Sequence, residues 1–288
     1  MFQYYYIIYS FLFDCNIHKN CFKKYIIYYY FLKKHNYILQ IIFNILTFIE
    51  KNGKILLLIK DKFFTHKIFP ILLIIMTTFF IIRHGYSKSN EQGYFTGQTD
   101  VALSTLGVEQ ANQTARYLYE NFKIDLLYSS PLQRAFNTTL PISNLFNLPI
   151  LIENDFKEIN GGDWEEKTPK QILKLYKDDY TLWLNNIGIA RCTNGENMQE
   201  VQSRALNALK KLASQYDEKN IAITTHAGVI RALQCAFQNL PLSEMKNIPW
   251  VENASISIIN YENGTFSPLK ISFSEHLTSS KTNLPSNM

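Results

Sequence analysis

Cysteine is scarce: the 288 residues hold four, Cys15, Cys21, Cys192 and Cys235. None forms a C-x-x-C pair or a metal-ligand spacing, which excludes a disulfide scaffold and a structural zinc site. The cysteines are expected to be reduced thiols in a cytoplasm. An unbroken apolar run of the ~20 residues that a spanning helix needs is also missing. The longest candidates, Tyr37–Ile49 and Ile68–Ile75, fall short. No small-residue cleavage site follows them, so a secretory signal is poorly supported. No internal repeat is visible.

Other absences are local. Residues 1–75 contain no Ala, no Val and no Arg. Phe, Tyr, Ile, Leu, Lys and Asn fill 59 of these 75 positions. Those are the residue types spelled by A/T-rich codons. The segment carries 10 Lys against Asp14, Glu50 and Asp61, a net charge of +7. The remainder holds 19 basic against 21 acidic residues, a net charge of −2. The overall excess of +5 therefore belongs to the N-terminal quarter. A basic chain invites a reading of nucleic-acid or anionic-membrane binding. That reading fails for the body of the chain, which has no basic stripe. Residues 1–75 are expected to be a low-complexity extension outside the native protein, with Met76 as the true start. A membrane-associated extension is the alternative.

From Met76 onward the chain alternates short apolar runs with amphipathic stretches. Strands are expected at Thr78–Ile82, Asp125–Tyr128, Leu148–Ile152 and Asn220–Thr225. Helices are expected over Ser104–Phe122, from Pro131, over Thr168–Asn186 and Asn197–Tyr216, and after His226 to Phe237. Ala254–Tyr261 and Thr265–Ser272 read as a hairpin around Asn263-Gly264. Strands alternating with helices imply a mostly parallel sheet covered on both faces. The fold class is α/β, a three-layer αβα sandwich. The domain is placed at residues 76–273, and residues 274–288 are read as a polar tail that frays. In such sheets chemistry gathers at the carboxyl ends of strands. Arg83-His84-Gly85 and His226 both follow strands expected to be buried, and Arg134 follows a third. That coincidence favours an anion-binding pocket.

The motifs then become recognisable. Phe79-Phe-Ile-Ile-Arg-His-Gly-Tyr-Ser-Lys-Ser-Asn90 resembles the opening of the histidine phosphatase (phosphoglycerate mutase-like) superfamily. The block from Gly97 through Asp100, Leu103, Ser104 and Gly107 to Gln110-Ala111 resembles the family's next one. Tyr128-Ser-Ser-Pro-Leu-Gln-Arg134-Ala, Glu158-Ile-Asn-Gly-Gly162-Asp-Trp164-Glu165, Gly195-Glu196 and Thr225-His226-Ala-Gly-Val-Ile-Arg231 follow in family order. The resemblance spans about Met76–Ser272.

A phosphomonoester carries two negative charges near neutral pH, and its transfer depends on positioning and electrostatic stabilisation. The resemblance implies that His84 is a nucleophile that becomes a phosphohistidine. It implies that Arg83 and Arg134 grip phosphoryl oxygens with their planar forks. Asn90 and His226 would donate to the same group. Thr96 and Gly97 are possible substrate contacts. Glu158 would protonate the leaving oxygen and later activate water. Asp155 and Glu153 are rival acids. No cofactor and no metal are expected, because the arginines supply the positive charge.

Several neighbours have plainer readings. Gly85 and Gly97 serve turn geometry through positive φ, Trp164 packs, Glu196 favours a helix start, and Arg231 pairs within the fold. Three positions depart from the family pattern: Tyr86, Tyr94 and Glu166, where Glu or Gln, Arg and Gly are usual. The glycolytic mutases carry an insertion with an Arg-Arg pair after the acid block, and this chain contains no Arg-Arg pair. The expected function is a phosphatase of broad-specificity or α-ribazole-phosphate type, acting on a small-molecule phosphomonoester. No nucleic acid, and no membrane for the folded domain, are expected as partners. A mutase-type phosphotransferase is the alternative, and a catalytically idle phospho-ligand-binding module comes after it.

A chain beginning at Met76 is expected to be soluble, folded and active on phosphomonoesters. Aggregation of that chain, or peptides from residues 1–75 in mass spectra of the native protein, would overturn the reading of the extension.

Overall fold

Alternation along one strand organises the fold. In the computed structural model, which describes residues 76–278 and 280–282, β1 (Thr77–Arg83) is β-branched and aromatic and almost wholly buried. Successive side chains point to opposite faces of a strand. Phe79 and Ile81 join one apolar core with Ile221 and Ile223. Phe80 and Ile82 join a second core with Ala222 and Leu127. One sheet therefore separates two cores, as the α/β sandwich expectation requires.

Beside β1 the sheet contains β2 (Leu126–Ser129), β3 (Ile150–Ile152), β4 (Asn220–Thr225), β5 (Ile256–Glu262) and β6 (Thr265–Phe273), in the order β3-β2-β4-β1-β5-β6. β1, β2, β3 and β4 are mutually parallel, and β5 and β6 add an antiparallel edge. Arg83 pairs with Thr225 at the carboxyl ends of the central strands β1 and β4. His84 and His226, one residue beyond, are thereby brought side by side.

The helices follow from local signals. A short α1 (Lys88–Gln92) is capped by Ser87 and Asn90 in a capping box. α2 (Thr105–Asn121) is capped by Ser104, whose side chain accepts from Gly107 N at 3.1 Å. α3 (Gln133–Phe146) starts two residues after Pro131, because Leu132 is extended. The helix expected over 168–186 is two helices, α4 (Pro169–Leu175) and α5 (Lys177–Asn185). Tyr176 leaves the helical region at φ −132°, ψ 52° and bounds both. Neither Gly nor Pro marks that break, so the hydrophobic pattern ran through it. α6 (Met198–Gln215) has a capping box at Asn197 and Glu200 and buries Val201, Ala205, Ala208, Leu209 and Leu212 on one face. α7 (Ala227–Phe237) is buried nearly all round.

The tail from Ser274 departs from expectation. Leu277 is fully buried and Ser280 nearly so. His276 Nε2 lies 2.9 Å from Thr114 Oγ1, and its ring stacks on Tyr117 at 5.1 Å between centroids. Gln110 donates to Ser280 O at 2.7 Å. These contacts run along α2, so the segment docks there rather than fraying. Leu277 has a core site there, which a polar composition conceals. The expectation for residues 1–75 lies outside the described residues, as does the end of the tail.

Leu277→Ala should lower the unfolding free energy by about 2–3 kcal/mol, the lower part of the range for a buried leucine. Urea unfolding of the full chain measures it. A change within about 0.5 kcal/mol, typical of surface substitutions, would show that the tail is not held.

Candidate active site

Every peptide group from His84 to Tyr86 is tied to a different part of the fold. His84 N donates to Thr225 O on β4 at 2.9 Å. His84 O accepts from Asn253 Nδ2 at 3.1 Å and from Ala254 N at 3.2 Å. Gly85 N donates to Thr138 Oγ1 on α3 at 2.9 Å, and Tyr86 N donates to Gln110 Oε1 on α2 at 2.8 Å. The loop also lies hard against α2. A Cβ at Gly85 would sit 2.6 Å from Gly107 O, and one at Gly107 would sit 2.0 Å from Tyr86 O. Gly85 is thus required by close approach and not by positive φ. Gly97 does have positive φ, at 46°.

The His84 imidazole is buried, and its Nδ1 lies 2.7 Å from Gly85 O. A carbonyl can only accept, so Nδ1 carries the proton and Nε2 carries the lone pair. Burial, Arg134 and Arg83 hold its pKa well below the usual histidine value. The ring is therefore neutral near pH 7, with Nε2 as a nucleophile-competent nitrogen. His226, capping α7, has its ring centroid 5.1 Å from that of His84. Its Nε2 lies 2.8 Å from Ser130 Oγ, and its Nδ1 is buried with no hydrogen-bond partner among the described residues. Burial, Arg134 and His84 lower its pKa as well.

The two arginines are buried without a carboxylate at ion-pair distance among the described residues. Arg83 Nη1 donates to Val251 O at 2.5 Å, and Arg83 Nε is unpartnered. Arg134 donates to Gly97 O at 2.6 Å and Thr99 O at 2.9 Å. Burial pushes Arg83 down to about 10, with Glu158 opposing and Arg134 adding to the shift. Both stay cationic at neutral pH. Buried charge without a counter-charge is unfavourable, and a phosphate dianion would supply that charge.

Glu158 faces this group from the other side. Its Oε1 accepts from Ile159 N at 2.9 Å and its Oε2 from Gly228 N at 3.1 Å, in the first turn of α7. A Cβ at Gly228 would meet Glu158 Oε1 at 2.5 Å, so the approach needs glycine there. Of the rival acids, Glu153 caps the 3₁₀ turn Asn154–Phe156, accepting from Asp155 N. The structure thus brings Arg83, His84, Arg134, Glu158 and His226 together. Asn90 borders them: its Oδ1 accepts from Ser87 N at 3.0 Å and Asn253 Nδ2 at 3.4 Å, its backbone N donates to Ser87 Oγ at 3.3 Å, and its side-chain Nδ2 makes no hydrogen bond among the described residues. Gly97 contributes its carbonyl. Thr96 turns back on its own loop, donating to Tyr94 O at 3.2 Å.

Sequence reasoning missed the supports. Ser130 and Asn253 hold the histidines, and Glu165 clamps the loop that serves Arg134. Glu165 accepts from Gln98 N and Thr99 N, each at 2.6 Å, from Gly161 N at 3.0 Å, and from the Thr99 hydroxyl. An ionisable residue in a Gly-rich loop was the available signal. Glu196 does not start a helix; it accepts from Asn160 N at 2.8 Å and pairs with Arg204 at 3.0 Å. Arg231 finds backbone carbonyls of Met245 and Ile248 and lies 4.1 Å from the Trp250 ring centroid. Trp164 is fully buried among Phe95, Tyr180 and Trp183 in edge-to-face contacts, a packing residue as expected. Among the described residues no group of three or more His, Cys, Asp or Glu could hold a metal ion.

The lowered histidines set a pH dependence. Unfolded histidine takes up a proton below about pH 6.5. Folded His84 and His226 resist until well below that, and burial holds His276 at about 4. As pH falls the unfolded chain binds more protons than the folded one, so stability falls with pH. Thermal melts should show full stability above about pH 6.5 and a declining Tm toward pH 5. Inorganic phosphate should raise Tm throughout by filling the cationic site. A Tm that holds level or rises toward pH 5 would mean the imidazoles are charged in the fold.

The histidine phosphatase superfamily (branch 1) matches residues 79–273. Phosphoserine phosphatase 1 of Hydrogenobacter thermophilus is 28% identical over 202 residues, covering 70% of this chain and 95% of that protein. The adenosylcobalamin/alpha-ribazole phosphatase of Escherichia coli is 29% identical over 165 residues, covering 57% of this chain and 81% of that protein. The solved structure of Bacillus stearothermophilus YhfR superposes with a TM-score of 0.67 at 27% identity, covering 70% of this chain and 99% of that one. With the ordered motifs, the sheet and the cationic cluster all in agreement, the chain belongs to the histidine phosphatase superfamily and is a phosphatase.

Proposed function

We propose that the chain hydrolyses small-molecule phosphomonoesters through a phosphohistidine formed on His84. The observation that carries this reading is the Nδ1 hydrogen bond to Gly85 O at 2.7 Å, which presents a neutral Nε2 lone pair inside a cationic cluster. The phosphoryl group sits between Arg83 and Arg134. Their forks meet charge that is already on the substrate and stays on it in the transition state. With Ser130 donating to Nε2 of His226, the unpartnered Nδ1 of His226 is a donor to the same oxygens. The free amide nitrogen of Asn90 is another.

In the first step Nε2 of His84 attacks phosphorus and the bond to the leaving oxygen breaks. Glu158 delivers the proton that the alkoxide needs. In the second step a water attacks phosphorus and passes its proton to Glu158. The N–P bond breaks, releasing inorganic phosphate and restoring Nε2. The protein supplies geometry and charge, and the substrate's own chemistry does the rest.

The alcohols removed from phosphoserine and α-ribazole phosphate differ in kind, and both relatives bear names of such phosphatases. The shared core here recognises the phosphoryl group, so several phosphomonoesters are expected to serve. Cys192 and Cys235 are buried free thiols, which supports a reducing, cytoplasmic setting. Among the described residues no helix is long and apolar enough to cross a membrane.

His84→Ala should abolish both turnover and any trappable phosphoenzyme. Near-normal activity in that variant would sink the mechanism. Glu158→Gln should lose on the order of 10²–10⁴ in rate on an alkyl phosphate, the range for general acid–base catalysis. On a nitrophenyl phosphate the loss in kcat/KM, which reports the phosphorylation step, should be smaller, while the slowed attack of water accumulates phosphohistidine. Equal, small losses on both substrates and no burst would move the role to another carboxylate.

A further inference from the structure

A half-buried cation that takes no part in the steps above spends its whole donor set on the acid loop and on Glu196 beside it. Arg204 projects from α6 beneath residues 155–160. Its Nη1 donates to Asp155 O at 2.7 Å and Lys157 O at 2.6 Å. Its Nη2 donates to Glu158 O at 2.9 Å and Glu196 Oε2 at 3.1 Å, and its Nε to Glu196 Oε1 at 3.0 Å. A guanidinium has five N–H donors, and all are used here. Glu196, the other half of this fork-on-fork pair, also accepts from Asn160 N at 2.8 Å. The pair therefore grips the chain immediately before, at and two residues beyond Glu158. Its charge also reaches the site, where it helps lower the pKa of His226.

The residue is ill-suited to a bare packing role. It lies in a half-buried position where an aliphatic side chain would fill space without desolvating a charge. What an aliphatic residue could not do is hold three carbonyls in a fixed fan. Those carbonyls belong to the loop that aims Glu158. The carboxylate itself has two other anchors, Ile159 N and Gly228 N, and Ile159 N moves with the same loop. Without Arg204, among the described residues only Gly228 N and the Gln98 side chain on Glu158 O, at 3.1 Å, tie Glu158 to other elements.

We propose that Arg204, locked by Glu196, is a positioning residue for the proton transfer carried by Glu158. This rests on the role proposed above for Glu158. A displacement of about 1 Å can cost on the order of 10² in rate. Arg204→Met should therefore lower kcat/KM, which reports the phosphorylation step, by about 10- to 100-fold on an alkyl phosphate. The loss in kcat/KM should be under about 3-fold on a nitrophenyl phosphate, whose leaving group needs little protonation. KM for the alkyl phosphate should stay within about 3-fold, because the phosphoryl-binding groups are untouched.

The deciding experiment is a double-mutant cycle with Glu158→Gln in the full chain, read as kcat/KM on both substrates. Once the acid is gone its position is immaterial, so Arg204→Met should cost less than about 2-fold in the Glu158→Gln background. A loss of the same factor in both backgrounds, or on both leaving groups, would overturn the proposal and leave the phosphatase reading intact. If Glu158→Gln alone costs nothing on the alkyl phosphate, the acid assignment fails instead, and with it the proposal. Arg204→Lys, which keeps the charge and part of the donor set, should recover part of the alkyl-phosphate rate. Should Arg204→Met fail to fold, the same cycle is run with Arg204→Lys and with Glu196→Gln. Each should show the same leaving-group bias at about 3- to 10-fold, and uniform losses there would equally overturn the proposal.

Discussion

The structure is arranged around an electrostatic imbalance. Two guanidiniums and two imidazoles meet at the carboxyl ends of β1 and β4, buried, with no carboxylate paired to either arginine among the described residues. Close counter-charges would make this patch easier to bury and useless for binding an anion. The chain instead satisfies the arginines with backbone carbonyls: Val251 for Arg83, Gly97 and Thr99 for Arg134. A carbonyl orients a guanidinium while leaving its net charge in place. Burial first, and then the field of the same arginines, keeps both histidines neutral. The cations that favour an anion thus also help to keep the imidazoles uncharged.

Carbonyls are useful only where the loops that carry them are fixed, and here the carboxylates find their employment. Glu165 collects three backbone amides and a hydroxyl, tying residues 98–99 to Gly161. Glu196 collects an amide and a guanidinium under residues 155–160. Both anions serve as clamps beside the site and keep out of ion-pair range of Arg83 and Arg134. The loops also carry a conformational cost. Glu166 is exposed and sits at φ 60°, a region disfavoured by about 1 kcal/mol for a residue with a Cβ. Its N–H donates to Phe95 O at 2.8 Å, and Phe95 N donates to Lys167 O at 2.9 Å, so the strained turn helps to join the Phe95 loop to the acid block.

How much of this was legible in the sequence depends on what kind of atom did the work. The strands β1 and β4 were readable because burial on both faces demands unbroken β-branched and aromatic runs. The cluster Arg83, His84, Arg134, Glu158 and His226 was readable because its chemistry lies in side chains at ordered motif positions. The supports were not. Val251 and Thr99 act through carbonyls that every residue type possesses, so no spacing marks them. Glu196 was read as a helix-start residue and no motif marked Arg204, because only the folded acid loop brings them to its carbonyls and amide. The split at Tyr176 has no breaker residue, and the docked tail hides one buried leucine in a polar stretch. Gly85 was read as a turn glycine, whereas the closeness of Gly107, a tertiary fact, is what excludes a side chain there.

The His84 ring takes its alignment from backbone. Its Nδ1 meets its own neighbour's carbonyl, so the direction of Nε2 is set by the backbone of His84 and Gly85 and not by a partner side chain. Those two residues are held by β4 through Thr225, by α3 through Thr138 and by the segment before β5 through Asn253 and Ala254. Three separate elements would have to shift together before the imidazole turned. A carboxylate partner on Nδ1 would instead raise the ring's affinity for protons and bring an anion into a site built to bind one. The carbonyl fixes the same tautomer without an anion, and burial and the two arginines outweigh its upward pull on the pKa, so the ring stays neutral.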